Sequence, residues 1–223
     1  ATGAQGLVSN AVSTRTSSLR GASAGSPFSQ HGVWVQTLYS DARQGRRDGI
    51  AGYDADSKGV SFGIDGKLND NLTLGAAYSY IETDVKSSGG NKTDVESHAF
   101  TLYSGYESGN LFADASLTYG ANDNTGKRYI AGTTAKGKYD SKLYGLNLTA
   151  GYGLQFGQLT VEPRAAARYS RVDIDSFTEK GSSAALKQSS QRFEAIELGA
   201  GARFASRFQV GQGTLEPELR LLT

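Results

Sequence analysis

The only two histidines, His31 and His98, lie on different segments, and no nucleophile, base and acid fall into an ordered set around either. No cluster of Asp, Glu or His has the spacing of metal ligands, so neither a metal nor a cofactor is called for. Glycines recur at every second residue in several stretches, a spacing that suits extended chain approached closely by another element and does not suit a phosphate loop. What the charged residues offer is pairing. Glu162, Arg164, Arg168, Glu197, Arg203, Glu216, Glu218 and Arg220 all share one parity within their segments, so they project from the same side of extended chain. Arg15 and Arg20 of the N-terminal segment have candidate partners among these carboxylates or in Asp65 and Asp114, through charge-assisted hydrogen bonds.

The elements that carry these residues follow from periodicity. Nine segments from residue 32 onward alternate apolar and polar side chains with period two. They are Gly32 to Ala42, Ser57 to Leu68, Leu72 to Thr83, Val95 to Glu107, Leu111 to Gly120, Leu143 to Phe156, Leu159 to Val172, Phe193 to Ala205, and a last piece around Leu215 to Leu221. Leu143 to Phe156 is the clearest, with Tyr144, Leu146, Leu148, Ala150, Tyr152, Leu154 and Phe156 opposed to Gly145, Asn147, Thr149, Gly151, Gly153 and Gln155. Soluble strands typically last about 5 to 6 residues, so runs of this length favour a transmembrane barrel over a soluble sandwich.

Composition agrees. The chain has 223 residues, a net charge of +1 and no cysteine, and its mean hydropathy is −0.41. No apolar run approaches the roughly 20 residues of a membrane-spanning helix. A barrel strand keeps mean hydropathy low because every second residue faces a wet lumen. Lack of cysteine suits passage through an oxidising periplasm, and near-neutral mixed charge gives no nucleic-acid footprint.

Connections alternate long and short: Asp41 to Asp56, Asn69 to Asn71, Asp84 to Asp94, Ser108 to Asn110, Ala121 to Tyr139, Gly157 to Gln158, Asp173 to Gln191, and a turn around Gly211 to Gly213. Outer-membrane barrels have short periplasmic turns and long external loops, so the first strand runs outward. Tyr39, Tyr78, Tyr80, Tyr106, Tyr119, Tyr144, Tyr169 and Phe204 stand near strand ends on the apolar parity, where interfacial rings belong. The first thirty residues differ: Leu7, Val8, Ala11, Val12, Arg15 and Leu19 recur at helical spacing, and Gly21 to Ser29, with Pro27, forms a hinge.

Gly32-Val-Trp-Val-Gln36, Gly52-Tyr-Asp-Ala-Asp56, Gly63-Ile-Asp65, Glu162-Pro163 and Phe177-Thr-Glu179, in this order and spacing, make the chain resemble the C-terminal translocator β-domain of classical (type Va) autotransporters of Gram-negative bacteria. The resemblance covers most of the chain. It implies an all-β, antiparallel up-and-down transmembrane barrel, twelve-stranded in the family, plugged by an N-terminal helix. Residues 1–30 are then linker and plug, and residues 31–223 the barrel. About three closing strands and a terminal aromatic residue are expected beyond Leu221-Leu222-Thr223.

The function implied is delivery and anchoring of an N-terminal passenger at the cell surface. The partners implied are outer-membrane lipid, the chain's own passenger, the barrel assembly machinery and periplasmic chaperones, with no nucleic acid and a monomeric state. Some members of the family cut their own plug after an asparagine, and Asn10-Ala11, five residues before Arg15, matches that place. Otherwise no enzyme activity is implied. The competing readings are a porin-like or adhesive barrel without a passenger, and an outer-membrane enzyme.

Overall fold

In the computed structural model, placement is described for residues 2–19, 31–45, 52–87, 89–130, 132–206, 208–210, 213–215 and 217–222. Arg20, the Gly21 to Ser29 hinge and Glu216 lie outside the described residues. One helix, α1 (Thr2–Leu19), precedes fourteen strands among the described residues. These are β1 (His31–Gln44), β2 (Tyr53–Lys67), β3 (Leu72–Ser87), β4 (Lys92–Ser108), β5 (Leu111–Ile130), β6 (Thr133–Tyr152), β7 (Leu154–Phe156) and β8 (Leu159–Ile174). The remainder are β9 (Phe177–Thr178), β10 (Lys187–Gln188), β11 (Gln191–Ser206), β12 (Phe208–Val210), β13 (Gly213–Leu215) and β14 (Glu218–Leu222).

The main sheet runs β1-β2-β3-β4-β5-β6-β8-β11-β14, every neighbouring pair antiparallel, with β7 continuing β6 alongside β8. The sheet is an up-and-down meander of nine strands, matching the nine alternating segments, and it curls around α1. Residues paired across strands share parity throughout, so one rung reads Val60, Tyr80, His98, Ala121 and Lys142 on the outer side. A slip of one residue would turn every side chain to the wrong face, which is why such two-sided strands fix their register firmly.

The two faces differ in kind. The outer rows are exposed, with Val33 at 85% and Leu198 at 79% of full exposure. The inner rows are polar: Ser61 and Ser79 bond each other at 2.8 Å, Thr101 and Thr118 at 2.9 Å, and Asn122 reaches Ser141 at 3.2 Å. An ordinary soluble core would gather the Leu and Val rows into a dry centre. Here they face outward as a continuous apolar band, the arrangement that hydrocarbon solvates.

Short turns close one end. Asn69 Oδ1 accepts the backbone N–H of Asn71 at 3.0 Å and of Leu72 at 2.8 Å, an Asx turn. Gly109 (φ 60°) and Gly157 (φ 63°) supply the left-handed residue at two further short turns, while residues 211 and 212 of the expected fourth lie outside the described residues.

The opposite end departs from the expected loops. The Asp84 to Asp94 and Ala121 to Tyr139 connections are mostly strand, so β3–β4 and β5–β6 continue as hairpins to Ser87 and Lys92, and to Ile130 and Thr133. At 20 residues each, β5 and β6 extend about 66 Å at the usual rise of roughly 3.3 Å per residue. Crossing hydrocarbon takes about 9–11 residues, so their outer halves stand beyond the bilayer. There both faces are polar and alternation of hydropathy disappears, although backbone pairing persists. The sixth alternating segment is likewise interrupted at Gly153, splitting β6 from β7.

Candidate functional site

The site is the lumen and the helix inside it. On α1, Gln5, Val8, Ser9, Val12, Thr16, and also Ala11 and Ser17, are buried, whereas Asn10, Thr14 and Ser18 form an exposed stripe. Spacing of four residues places that stripe on a single side of the helix. Val8 and Ala11 pack with Leu38, Ile81 and Ala99, while Val12 packs with Ala77 and Tyr103, with Trp34 at the border. The apolar contact is small, so polar contacts must do much of the positioning.

They centre on Arg15. Its Nε donates to Asp65 Oδ2 at 2.6 Å and its Nη2 to Oδ1 at 2.8 Å, a two-pronged pair. Tyr103 Oη donates to the same Oδ2 at 2.8 Å and accepts from Trp34 Nε1 at 2.8 Å. Asp65 thus holds the plug while β4 and β1 hold Asp65. The Asp65 side chain is 2% exposed, and burial of a carboxylate is costly unless its oxygens are met by donors such as these. A second polar tie lies toward the helix N-terminus, where Gln5 Nε2 donates to the backbone oxygen of Tyr169 at 3.2 Å.

Glycines make room for these contacts. Trp34 pairs across strands with Gly63, Tyr103 with Gly75 and Phe112 with Gly151, and each ring occupies the space in which its partner's Cβ would stand. A Cβ at Gly63 or Gly75 would overlap the ring above it, and one at Gly145 would overlap the Gln5 amide. At Gly32 the same atom would overlap the Arg15 guanidinium.

The helix divides the lumen unequally. Its apolar side packs on β1, β3 and β4, and Asn10 and Thr14 of its exposed stripe line a cavity of about 630 Å³ together with Asp114, Asn147, Arg164, Arg168 and Glu197, among others. Arg168 donates to Glu197 at 3.1 Å and to Asn147 Oδ1 at 2.9 Å. Glu162 sits deeper, accepting from Arg164 at 2.6 Å and from Arg203 at 3.0 Å, with all three buried.

The structure therefore brings Arg15 to Asp65, Glu162 to Arg203, and Arg168 to Glu197. Asp114 lines the cavity near Thr16. Asn10 faces the cavity and Ala11 is fully buried. Tyr103 and Gln5 were not among the residues singled out in the sequence, and Trp34 stood there only within a family marker; for the two aromatics one signal was present, a ring on the wet parity paired with a glycine on the next strand.

The external end carries a second polar assembly. The segment after β8 folds back on the β5–β6 hairpin, where Phe177 stacks on Tyr139 with ring centroids 4.4 Å apart. Arg128 donates to Glu179 at 2.6 and 3.2 Å and to the Ala184 carbonyl at 2.9 Å. Lys136 and Lys180 exchange backbone hydrogen bonds, both at 2.8 Å.

Known proteins share this plan. Residues 33–222 match the family model described as autotransporter beta-domain. Outer membrane protein B of Rickettsia rickettsii is 35% identical over 190 residues, covering 78% of this chain and 12% of the relative. Outer membrane protein A of Rickettsia conorii is 33% identical over 204 residues, covering 84% of this chain and 10% of the relative. The chain thus spans about an eighth or less of the length of these relatives.

Among solved structures, the translocator domain of the autotransporter NalP from Neisseria meningitidis superposes with a TM-score of 0.73 at 16% identity, covering 98% of this chain and 78% of that one. The β-domain of the Bordetella autotransporter BrkA superposes at 0.71 and 20%, covering 86% and 77%. These likenesses show the fold. With its outward apolar band, its wet helix-filled interior and the match over 33–222, the chain belongs to the autotransporter β-domain family and is an integral β-barrel domain of the bacterial outer membrane.

Proposed function

We propose that this domain is a translocator that delivers a passenger fused ahead of α1 to the cell surface and then anchors it, with residues 2–19 left as the lumen plug. The observation that carries this reading is the direction of the helix. Leu19 and Thr16 lie beside Asp70, Asn71 and Glu107 at the short-turn, periplasmic end, whereas Gln5 reaches Tyr169 nearer the external mouth. Chain preceding α1 therefore points out of the cell. The Arg15–Asp65 pair keeps the helix in place once passage is complete. A monomer suffices for this task, served during assembly by periplasmic chaperones and the barrel assembly machinery, because single two-faced strands would expose unpaired backbone groups to lipid.

The test is a reporter fused ahead of residue 1, expressed with the domain and challenged with protease on intact cells. Release of the reporter is expected. A reporter that stays protected behind the membrane would favour a porin-like barrel and overturn the translocator reading.

A second reading of the same plug concerns its backbone. Asn10 lines the polar cavity that also holds Asp114 and Glu197, while Ala11 is packed against Leu38 and Ile81. Attack of the Asn10 side-chain nitrogen on its own main-chain carbonyl would form a succinimide and free the Ala11 amine, with the nearby carboxylates handling the proton. N-terminal sequencing of mature protein decides the point: a start at Ala11 supports cleavage, and an intact junction refutes it.

A further inference from the structure

Toward the external mouth, the lumen-facing wall turns apolar over two adjacent rungs. On the upper rung, nearer the mouth, Leu38, Gly59 and Ile81 are successive cross-strand partners. On the rung below it, Ala99, Gly120, Leu143, Val172 and Phe193 follow one another from β4 to β11. Leu38, Ile81, Ala99, Leu143 and Val172 are all buried. Glycines admit the larger chains: a Cβ at Gly59 would stand 3.0 Å from the Ile81 side chain, and one at Gly120 would stand 3.2 Å from that of Leu143. Neither rung carries a charged side chain among the described residues. Inward positions on both sides of this band are hydrophilic, with Ser57, Ser97 and Asn122 toward the mouth and Thr101, Thr118 and Ser116 toward the periplasm.

The helix meets this band with apolar side chains of its own: Leu7, Val8 and Ala11 pack with Leu38, Ile81 and Ala99. One rung below Leu143 and Val172, the Gln5 amide fills the space over Gly145 and donates to the Tyr169 carbonyl, and its side chain is fully buried. Below Gln5 the polar cavity begins. It runs along Asn147 and Thr149 to Thr16 and Asp114, which also line a small pocket beside Asp70, Asn71 and Glu107 at the short-turn end. The polar space therefore extends to the periplasmic end and stops, toward the mouth, at Gln5 and the apolar band. An ion entering such a band sheds water that no wall group replaces, so the band is a barrier even where it is not sterically closed.

We propose that the lumen is divided in two: a hydrated vestibule entered from the periplasm, and above it a dry collar of Leu38, Ile81, Leu143 and Val172 closed on Leu7 and Val8, which is the barrier to ions and small polar solutes. Asp65 stands on the rung of Ser116 and Asn147, at the level of the vestibule and below the collar. The Arg15–Asp65 pair therefore sets the depth of the helix, and that depth brings Leu7 and Val8 into the collar. Positioning and sealing fall to different residues. This division uses only the sidedness of the barrel and requires no passenger, so a reporter that stayed protected would leave it standing.

The experiment is substituted-cysteine labelling, for which the absence of native cysteine leaves a clean background. Single substitutions Thr149→Cys in the vestibule, Ser183→Cys in the external loop and Asp70→Cys in a short turn are expressed in a porin-deficient host. All carry Asn10→Ser, which keeps the plug whole. A small anionic methanethiosulfonate is added to intact cells, or after osmotic shock has admitted it to the periplasm, and folding of every variant is checked by heat-dependent migration on gels. With the native collar, intact cells should modify Ser183→Cys alone, and shock should add both Asp70→Cys and Thr149→Cys. In I81S/L143S/V172S, Thr149→Cys should pass from unmodified to fully modified in intact cells; if that triple variant does not fold, L143A/V172A is read in its place. Modification of Thr149→Cys from outside through the native collar, its protection from both sides, or its continued protection from outside in the folded collar variant would overturn the proposal.

Discussion

Arg15 on the lumen helix and Asp65 on the second strand, fifty residues apart, meet through two hydrogen bonds of 2.6 and 2.8 Å, and this pair fixes how deeply the helix sits. Tyr103 and Trp34 close behind Asp65, so the anchor is part of the barrel wall rather than a flexible side chain. A plug held in this way can be released by changing one residue, and the wall need not unfold.

Removing the anchor should open the pore. Arg15→Ala loses hydrogen bonds to a charged partner worth roughly 1.5–3 kcal/mol each and leaves Asp65 with one donor fewer on each oxygen. In planar bilayers the variant should show frequent, larger openings where the wild type is mostly closed. Restoration of the closed state by the exchanged pair, Arg15→Asp with Asp65→Arg, would assign the effect to the contact itself; wild-type conductance in Arg15→Ala would show that the helix is held elsewhere.

The ring-over-glycine pairs predict a steric effect without any loss of charge. Gly75→Val pushes against the Tyr103 ring and moves its hydroxyl away from Asp65. Overpacking of this kind costs about 1–3 kcal/mol. The thermal transition of the detergent-solubilised barrel should fall, whereas valine at Gly90, where no atom lies within 4 Å but φ is 81°, should disturb only the external hairpin.

Glu162 is shared by Arg164 and Arg203 across β8 and β11. Replacing it with Gln removes a negative charge shared by two buried guanidinium groups, and breaking a buried pair from one side typically costs about 3–5 kcal/mol. The urea midpoint for unfolding in detergent should drop markedly for Glu162→Gln, and should recover in part when Arg203 is also changed to Met. No drop would mean that these charges are well hydrated.

The external fold-back should loosen in acid. The Arg128 hydrogen bonds, first, and the Leu186 backbone N–H hold the Glu179 carboxyl below its ordinary value of 4.5, with burial opposing them. A lowered pKa in the folded state means that Glu179 contributes stability above its unfolded pKa and loses it as pH falls through the folded value. Protection factors in residues 175–190, exchange rates divided into the intrinsic rate at the same pH, should therefore hold between pH 7 and 5 and fall as the pH drops below the ordinary carboxylate value of about 4.3. In Arg128→Gln the loop should be weakly protected at every pH, and the acid step should vanish.

Strand number and facing were legible because a period of two is a local property: each stretch such as Leu143 to Phe156 declares its two sides without reference to its neighbours. The same rule failed at the outer halves of β5 and β6. Residues such as Asn122, Asn124, Tyr139 and Ser141 face inward while Asp123, Lys138 and Asp140 face water, so no hydropathy contrast marks strand that only backbone hydrogen bonds sustain. The charged parity on β8 and β11 was readable, and so was the presence of a helix bearing Arg15.

By itself the sequence determined a two-faced, membrane-compatible sheet, a helix ahead of it, and which charges look into the lumen. It left open which carboxylate receives Arg15, since Asp65, Asp114 and Glu162 all have the required parity. Tertiary structure decided in favour of Asp65 through two residues on other strands: Tyr103 and Trp34 bring their hydroxyl and indole N–H to one wall of the lumen, over glycines that admit them. The same pairing of strands set two cations, Arg171 of β8 and Arg192 of β11, around Asp173. Alternation is encoded residue by residue, whereas partner choice depends on register and curvature, which exist only once all the strands have paired.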